Sequence, residues 1–168
     1  MYEDVTAEEV ERRIAASHVS VRAVHDHWRA MAAGRPMPHR ADIEPADLKP
    51  YLSAMMLVDV VNDGRRFVYR LVGTHEVAGR GRDPTGLSVA EAFYAGSVEE
   101  ALAAYEYVAR ERRPFCFRDP YVTPDGWDER EDTIYLPLTR DGENVGVIMV
   151  YSYAYGFKPR GASSLVVR

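Results

Sequence analysis

A single cysteine, Cys116, among 168 residues rules out an intrachain disulfide and gives no sign of an oxidising compartment. No apolar run approaches the ~20 residues that span a bilayer. The amino terminus, MYEDVTAEEVERR, is acidic where a targeting segment would be apolar. Both features predict a soluble, cytoplasmic chain with no membrane partner. Positive charge is scarce too: 21 Lys and Arg against 26 Asp and Glu leave a net charge of −5, so nucleic acid is not an expected partner. The chain lacks a glycine-rich phosphate loop, a Gly-x-Ser-x-Gly elbow and a His-Glu-x-x-His helix. His18, His25 and His27 do not have the carboxylate spacing of a zinc helix, so neither a metal site nor a catalytic set is expected. Fixed-period repeats and low-complexity segments are also missing.

What is present is an ordinary globular composition, 46% hydrophobic and 28% charged, in a length suited to one domain. Thr6-Ala7-Glu8-Glu9 reads as a capping box opening a long helix to about Ala33, with Gly34 as its left-handed stop. Its apolar stripe includes Val10, Ile14, Val21 and Trp28, at spacings that keep one narrow face apolar. Such a face needs cover, either from the chain's own sheet or from a second copy, and these four residues are the candidate dimer interface. If His18 and His25 lie in that seam, protonation loosens it.

Pro36-Met37-Pro38 forces an extended connector, and Pro45 and Pro50 bracket a short helical turn at Ala46-Asp47-Leu48. Ser53 to Val61 reads as a strand, Asn62-Asp63-Gly64 as a hairpin turn, and Arg65 to Gly73 as its antiparallel partner. From Thr74 the spacing ceases to be that of a strand. Gly79, Gly81 and Asp83-Pro84-Thr85-Gly86 punctuate a polar lid, followed by a short helix at Leu87 to Phe93 and a firmer one from Ser97 to Arg113. Three further strands are expected at Phe115 to Thr123, Asp132 to Thr139 and Asn144 to Tyr155, joined by turns at Pro124-Asp125-Gly126 and Arg140-Asp141-Gly142-Glu143.

Three stretches carry a family resemblance: Ala41-Asp42-Ile43-Glu44-Pro45, Phe67-Val68-Tyr69-Arg70-Leu71-Val72-Gly73-Thr74 and Gly81-Arg82-Asp83-Pro84-Thr85-Gly86. With the order of elements, they resemble a bacterial PAS domain of the type labelled PAS fold family 5, over roughly residues 38–155. The resemblance implies an α+β fold, with a five-stranded antiparallel sheet in the order 2-1-5-4-3, helices over one face and a long N-terminal helix. It implies a non-enzymatic sensory or interaction module, commonly a homodimer, that binds a small ligand, a partner protein in signalling, or both. The chain then divides into an N-terminal dimerisation helix (1–35), a PAS-like domain (36–157) and a flexible tail (158–168).

The expected pocket draws on Met56, Val58, Phe67, Tyr69, Leu71, Phe93, Leu102, Tyr105, Leu136 and Ile148. Each of these would also serve simply as core filling. Of the last strand's two rows, Val147-Met149-Tyr151-Tyr153 or Gly146-Ile148-Val150-Ser152, one must line the pocket; an aromatic row suits the outer face against a helix bearing Trp28. Arg70 is read as an outward charge. The cofactor is unknown. A flavin adduct is disfavoured because Cys116 stands at a strand start, between Phe115 and Phe117. Haem is disfavoured because the helix from Ser97 to Arg113 has no histidine and His75 sits in a polar turn. Two alternatives stay open: a small cone-fold isomerase or dehydratase using Asp59 or Asp119 as a pocket base, and a ligand-free dimeric scaffold.

Overall fold

The computed structural model describes residues 2–93, 97–122 and 128–156, and side chains throughout these segments except at 119–122 and 128–129. Five strands, β1 (Met55–Val60), β2 (Phe67–Val72), β3 (Phe115–Val122), β4 (Asp128–Thr139) and β5 (Val145–Tyr155), form one antiparallel sheet. Its order is β2-β1-β5-β4-β3, as expected from the sequence. Between β2 and β3 lie α3 (Thr74–Arg80), α4 (Val89–Ala92) and α5 (Val98–Glu111). Ser88 and Glu91 form the capping box that starts α4, and Ser97 accepts the Glu100 N–H at the start of α5. The expected turn at 124–126, the break at 94–96 and the tail at 158–168 lie outside the described residues.

The sheet's two faces are assigned by register, because residues directly opposite across a ladder share a face. Met56, Val150 and Tyr135 stand opposite one another, as do Leu57, Met149 and Leu136. Tyr105 of α5 meets Phe67 at 5.2 Å and Tyr135 at 5.1 Å between ring centroids, so α5 covers the first row's face. This inner face and α3, α4 and α5 form a cup. The Tyr151 and Tyr153 row lies on the outer face, as favoured from sequence.

The N-terminal region departs from expectation. In place of one helix there are two, α1 (Ala7–Ala16) and α2 (Val19–Ala32), with the break at Ser17-His18. The cause is a competing acceptor: the His18 N–H goes 2.7 Å to Oδ2 of Asp132 on β4, and Ser17 Oγ turns back to the Ile14 carbonyl at 2.6 Å. His18 then caps α2, its Nδ1 accepting the Ser20 N–H at 3.2 Å. The helix ends at Ala33, whose φ of 50° already lies in the left-handed region before Gly34 at 83°.

Both helices are spent within the chain. Val10, Ile14, Val21 and Trp28, the candidate dimer interface, are all buried in the protein's own core, so of the two covers open to this face the chain's own sheet takes it. Burial of each such side chain stabilises by about 1.5–3 kcal/mol. His18 stacks on Tyr153 with centroids 3.4 Å apart, and the Trp28 indole N–H donates to the Pro137 carbonyl at 2.9 Å. Helix α2 therefore lies along β4: ten residues of helix rise ~15 Å and five of strand ~17 Å, so both anchor points are met at once.

Candidate functional site

The cup is floored by the inner row of the sheet and roofed by α3, α4 and α5. Six of the ten expected pocket residues meet there: Met56, Val58, Phe67, Tyr69, Tyr105 and Ile148, all buried. Phe93 and Leu102 are half-buried and pack against the same core.

Two expectations are corrected. A bulge between Leu57 and Val58 pairs Val58 with Tyr69 and Leu57 with Leu71, which skips Arg70 and moves Leu71 to the outer face, where it is 49% exposed. Leu136 stands opposite Met149, so it too belongs to the outer face, buried away from the cup. Arg70 does point outward, 3.3 Å from Asp59. Asp59 also pairs with Arg140 at 2.7 Å and sits opposite Val147 on the outer row, so it offers the cup no base. The side chain of Asp119 lies outside the described residues.

The sequence reading missed the cup's polar residues. Arg80, on the last turn of α3, is 9% exposed, and its guanidinium lies 5.1 Å over the Tyr69 ring. Its Nη1 reaches Tyr69 Oη at 3.5 Å and the Ala92 carbonyl at 3.4 Å, while Nη2 approaches Met56 Sδ at 3.3 Å. One turn earlier, Glu76 carries a carboxyl pushed up to about 7, first by burial and then by the charge of Glu131 on β4, with Arg80 opposing. Glu131 accepts from Thr133 Oγ1 at 2.9 Å, and that hydroxyl shares a 2.9 Å hydrogen bond with Ser152 across the ladder. The phenols of Tyr69, Tyr105 and Tyr135 are all raised by burial. The available signal was the four-residue spacing of Glu76 and Arg80, which puts both on one side of a helical turn.

Cys116 faces away from this chemistry. It stands opposite Ile134, itself opposite Tyr151, on the outer face, and burial followed by the charge of Asp132 pushes its thiol up to about 12. A thiol able to reach a flavin ring from inside the cup is therefore not supplied by the chain's single cysteine. His75 is half-buried near the start of α3.

Comparison with known proteins agrees with this geometry. A family model described as PAS domain matches residues 16–149, a span that includes α2. Among solved structures, a light-oxygen-voltage domain from work with a flavin analogue is 11% identical, with a TM-score of 0.50 over 66% of this chain and 82% of that one. VqmA bound to DPO is 13% identical, with a TM-score of 0.52 over 68% of this chain and 58% of that one. At such identities the likeness concerns the fold alone. No curated protein sequence matches the chain.

Proposed function

The chain belongs to the PAS domain family, and from that premise we propose that it is a non-enzymatic sensory module that takes a small ligand in its cup. The observation that carries this reading is the cup's mixed lining. Rings of Phe67, Tyr69 and Tyr105 supply apolar area, while Glu76, Arg80, Glu131 and the Thr133–Ser152 pair supply a few convergent polar groups. Such a lining suits a small organic molecule with a polar head. The outward turn of Cys116 speaks against adduct-forming flavin chemistry. Asp59, held by two arginines on the other face, gives no support to a pocket base.

The output passes through α1 and α2 to a protein partner, because these helices rest on the strands that floor the cup: Tyr135 faces inward, while Leu136 lies on the outer face and the Pro137 carbonyl accepts the Trp28 indole N–H. The setting is bacterial, cytoplasmic signalling. A second reading, a scaffold with a filled core, is favoured by the close ring contacts among Phe67, Tyr105 and Tyr135.

Native mass spectrometry of the full chain purified from its own host separates the two. The sensory reading expects a retained small molecule that is lost on unfolding and is missing from a Tyr105→Trp variant whose cup is overfilled. An unliganded wild-type protein, with no thermal shift across a panel of small polar aromatics and amines, would leave the scaffold reading standing. The same spectra report subunit number, hence whether the protein is a homodimer.

A further inference from the structure

Two phenols of the cup are buried without a hydrogen bond. Tyr105 on α5 is 2% exposed and Tyr135 on β4 is 9% exposed, and their rings meet edge to face with centroids 5.1 Å apart. Among the described residues, neither hydroxyl has a hydrogen-bond partner. A buried Tyr O–H ordinarily finds an acceptor, because leaving it unsatisfied forfeits the bonds that water would give it. Packing alone does not call for these oxygens: phenylalanine would fill the same ring positions, beside a Phe67 ring 5.2 Å from Tyr105. Two such hydroxyls in one cup mark a place where acceptors arrive from outside the chain.

A cation stands at the other end of the same row. Met56, Val150 and Tyr135 lie opposite one another across β1, β5 and β4, so Met56 and Tyr135 are two strand spacings apart, ~9.6 Å. Arg80 Nη2 reaches the Met56 sulfur at 3.3 Å, its guanidinium lies 5.1 Å over the Tyr69 ring, and Nη1 reaches Tyr69 Oη at 3.5 Å. These neighbours are neutral, and Tyr69 Oη, accepting from Nη1, keeps its own proton for another acceptor. Burial raises the phenols of Tyr69, Tyr105 and Tyr135 while the Arg80 charge opposes the rise in each, so all three are O–H donors at neutral pH and all feel the one guanidinium. Less a hydrogen bond of ~2.9 Å at each side, the span from Met56 to Tyr135 leaves the width of one small head group above Val150.

We infer that the cup takes a small organic carboxylate, its oxygens held between Arg80 and the hydroxyls of Tyr105 and Tyr135 and its apolar body directed toward Phe67. Phenolic donors and a cation complement a group that is negative and only accepts. The planar guanidinium fork matches a carboxylate in shape as well as charge. An amide brings one acceptor and unwanted donors, and an amine repeats the charge of Arg80. What would draw an amine instead is the pair Glu76 and Glu131, carboxyls of the same cup, so the two ligand classes are opposed in the test below. The inference rests on the sensory reading and supplies the ligand class that reading leaves open.

Stability and binding, measured together on the full chain, test it. Tyr105→Phe and Tyr135→Phe each remove a hydroxyl and keep the ring. Without ligand, each should unfold in urea at a midpoint equal to or above that of the wild type, because no internal hydrogen bond is lost. Isothermal titration should show benzoate binding, benzamide binding at least about tenfold more weakly and benzylamine more weakly still. Either Phe variant, and Arg80→Gln, should weaken benzoate about tenfold or more. A molecule retained from the host should itself be an acid, and should be lost from both Phe variants. A lower urea midpoint in both variants means that the hydroxyls serve the fold, and overturns the inference; so does benzamide or benzylamine binding as tightly as benzoate, or benzoate affinity that both variants keep in full. Should one variant fail to fold, the other and the wild-type ratio of benzoate to benzamide decide. A retained amine or neutral molecule, in protein that ignores benzoate, sinks the inference while the sensory reading stands. Protein that retains nothing and binds none of the three probes loses both.

Discussion

Asp132 is the residue on which the N-terminal architecture turns. It is fully buried, accepts the His18 N–H and, at 2.9 Å, the Tyr155 phenol, and lies 3.3 Å from the Arg118 Nε. Truncating one partner of a buried ion pair leaves the other uncompensated, so Asp132→Ala is expected to lose about 3 kcal/mol in urea unfolding. Asp132→Asn, which keeps an acceptor for the backbone, should lose less, about 1–2 kcal/mol. An alanine variant as stable as the wild type would remove the clasp. In the sequence, Asp132 is simply the first residue of an expected strand; nothing local announces that it captures an amide 114 positions away. Cys116 was more legible, because a lone cysteine between two phenylalanines on a strand is already marked as a core thiol. With its thiol pushed up to about 12, labelling by a disulfide reagent at pH 8 should run at least ~100-fold slower in the native protein than in urea. Rapid native labelling would place the side chain elsewhere.

At the scale of elements, α2 carries a pH-sensitive group. His25 is buried and stacks on Trp28 with centroids 5.9 Å apart. Burial, then the nearby Arg29 charge, lowers its pKa from 6.5, while Glu11 and Asp26 pull weakly the other way. The folded protein therefore prefers the neutral ring. The stability this preference supports is complete above about pH 6.5 and declines as the pH falls below it. Urea midpoints measured from pH 8 to pH 5 should fall in the wild type and fall less in His25→Phe; identical slopes would show that His25 does not govern the docking of α2. Helix periodicity identified the buried face of α1 and α2 correctly, yet it could not say what covers that face, because a stripe looks the same against a sheet or a second copy.

For the whole molecule, turn residues and alternation were enough to recover strand number, the hairpin neighbours and the insertion of helices between β2 and β3, while the full pairing order came from the resemblance to the PAS family. Assigning side chains to faces was harder. Alternation places Leu71 with Tyr69, but the bulge at Leu57 and Val58 breaks the count, and Leu136 goes to the outer face because its register puts it opposite Met149. The polar lining of the cup was hidden because Glu76 and Arg80 read as a solvated turn until a sheet lies beneath them. One whole-molecule expectation follows from the cis packing of α1 and α2. Removing residues 1–33 strips the cover from Leu136, Leu138, Met149 and Tyr151, all buried in the full chain. The truncated protein should self-associate in sedimentation velocity at concentrations where the full chain keeps its native subunit number; a monodisperse, unassociated truncation would show that this face tolerates water. The connector after α2 determines how that cover can come away. The Thr139 N–H donates to the Pro38 carbonyl at 3.0 Å, and His39 Nε2 lies 2.7 Å from the Arg140 carbonyl, so the carboxyl end of α2 is sewn to the end of β4 just past the Trp28 contact. The amino end of α2 is held by the Asp132 clasp and a stacked imidazole. A force on the N-terminal region would thus peel the helices away from α1 inwards, as a flap lifts from its free edge, with the stitching at Pro38 and His39 acting as its spine.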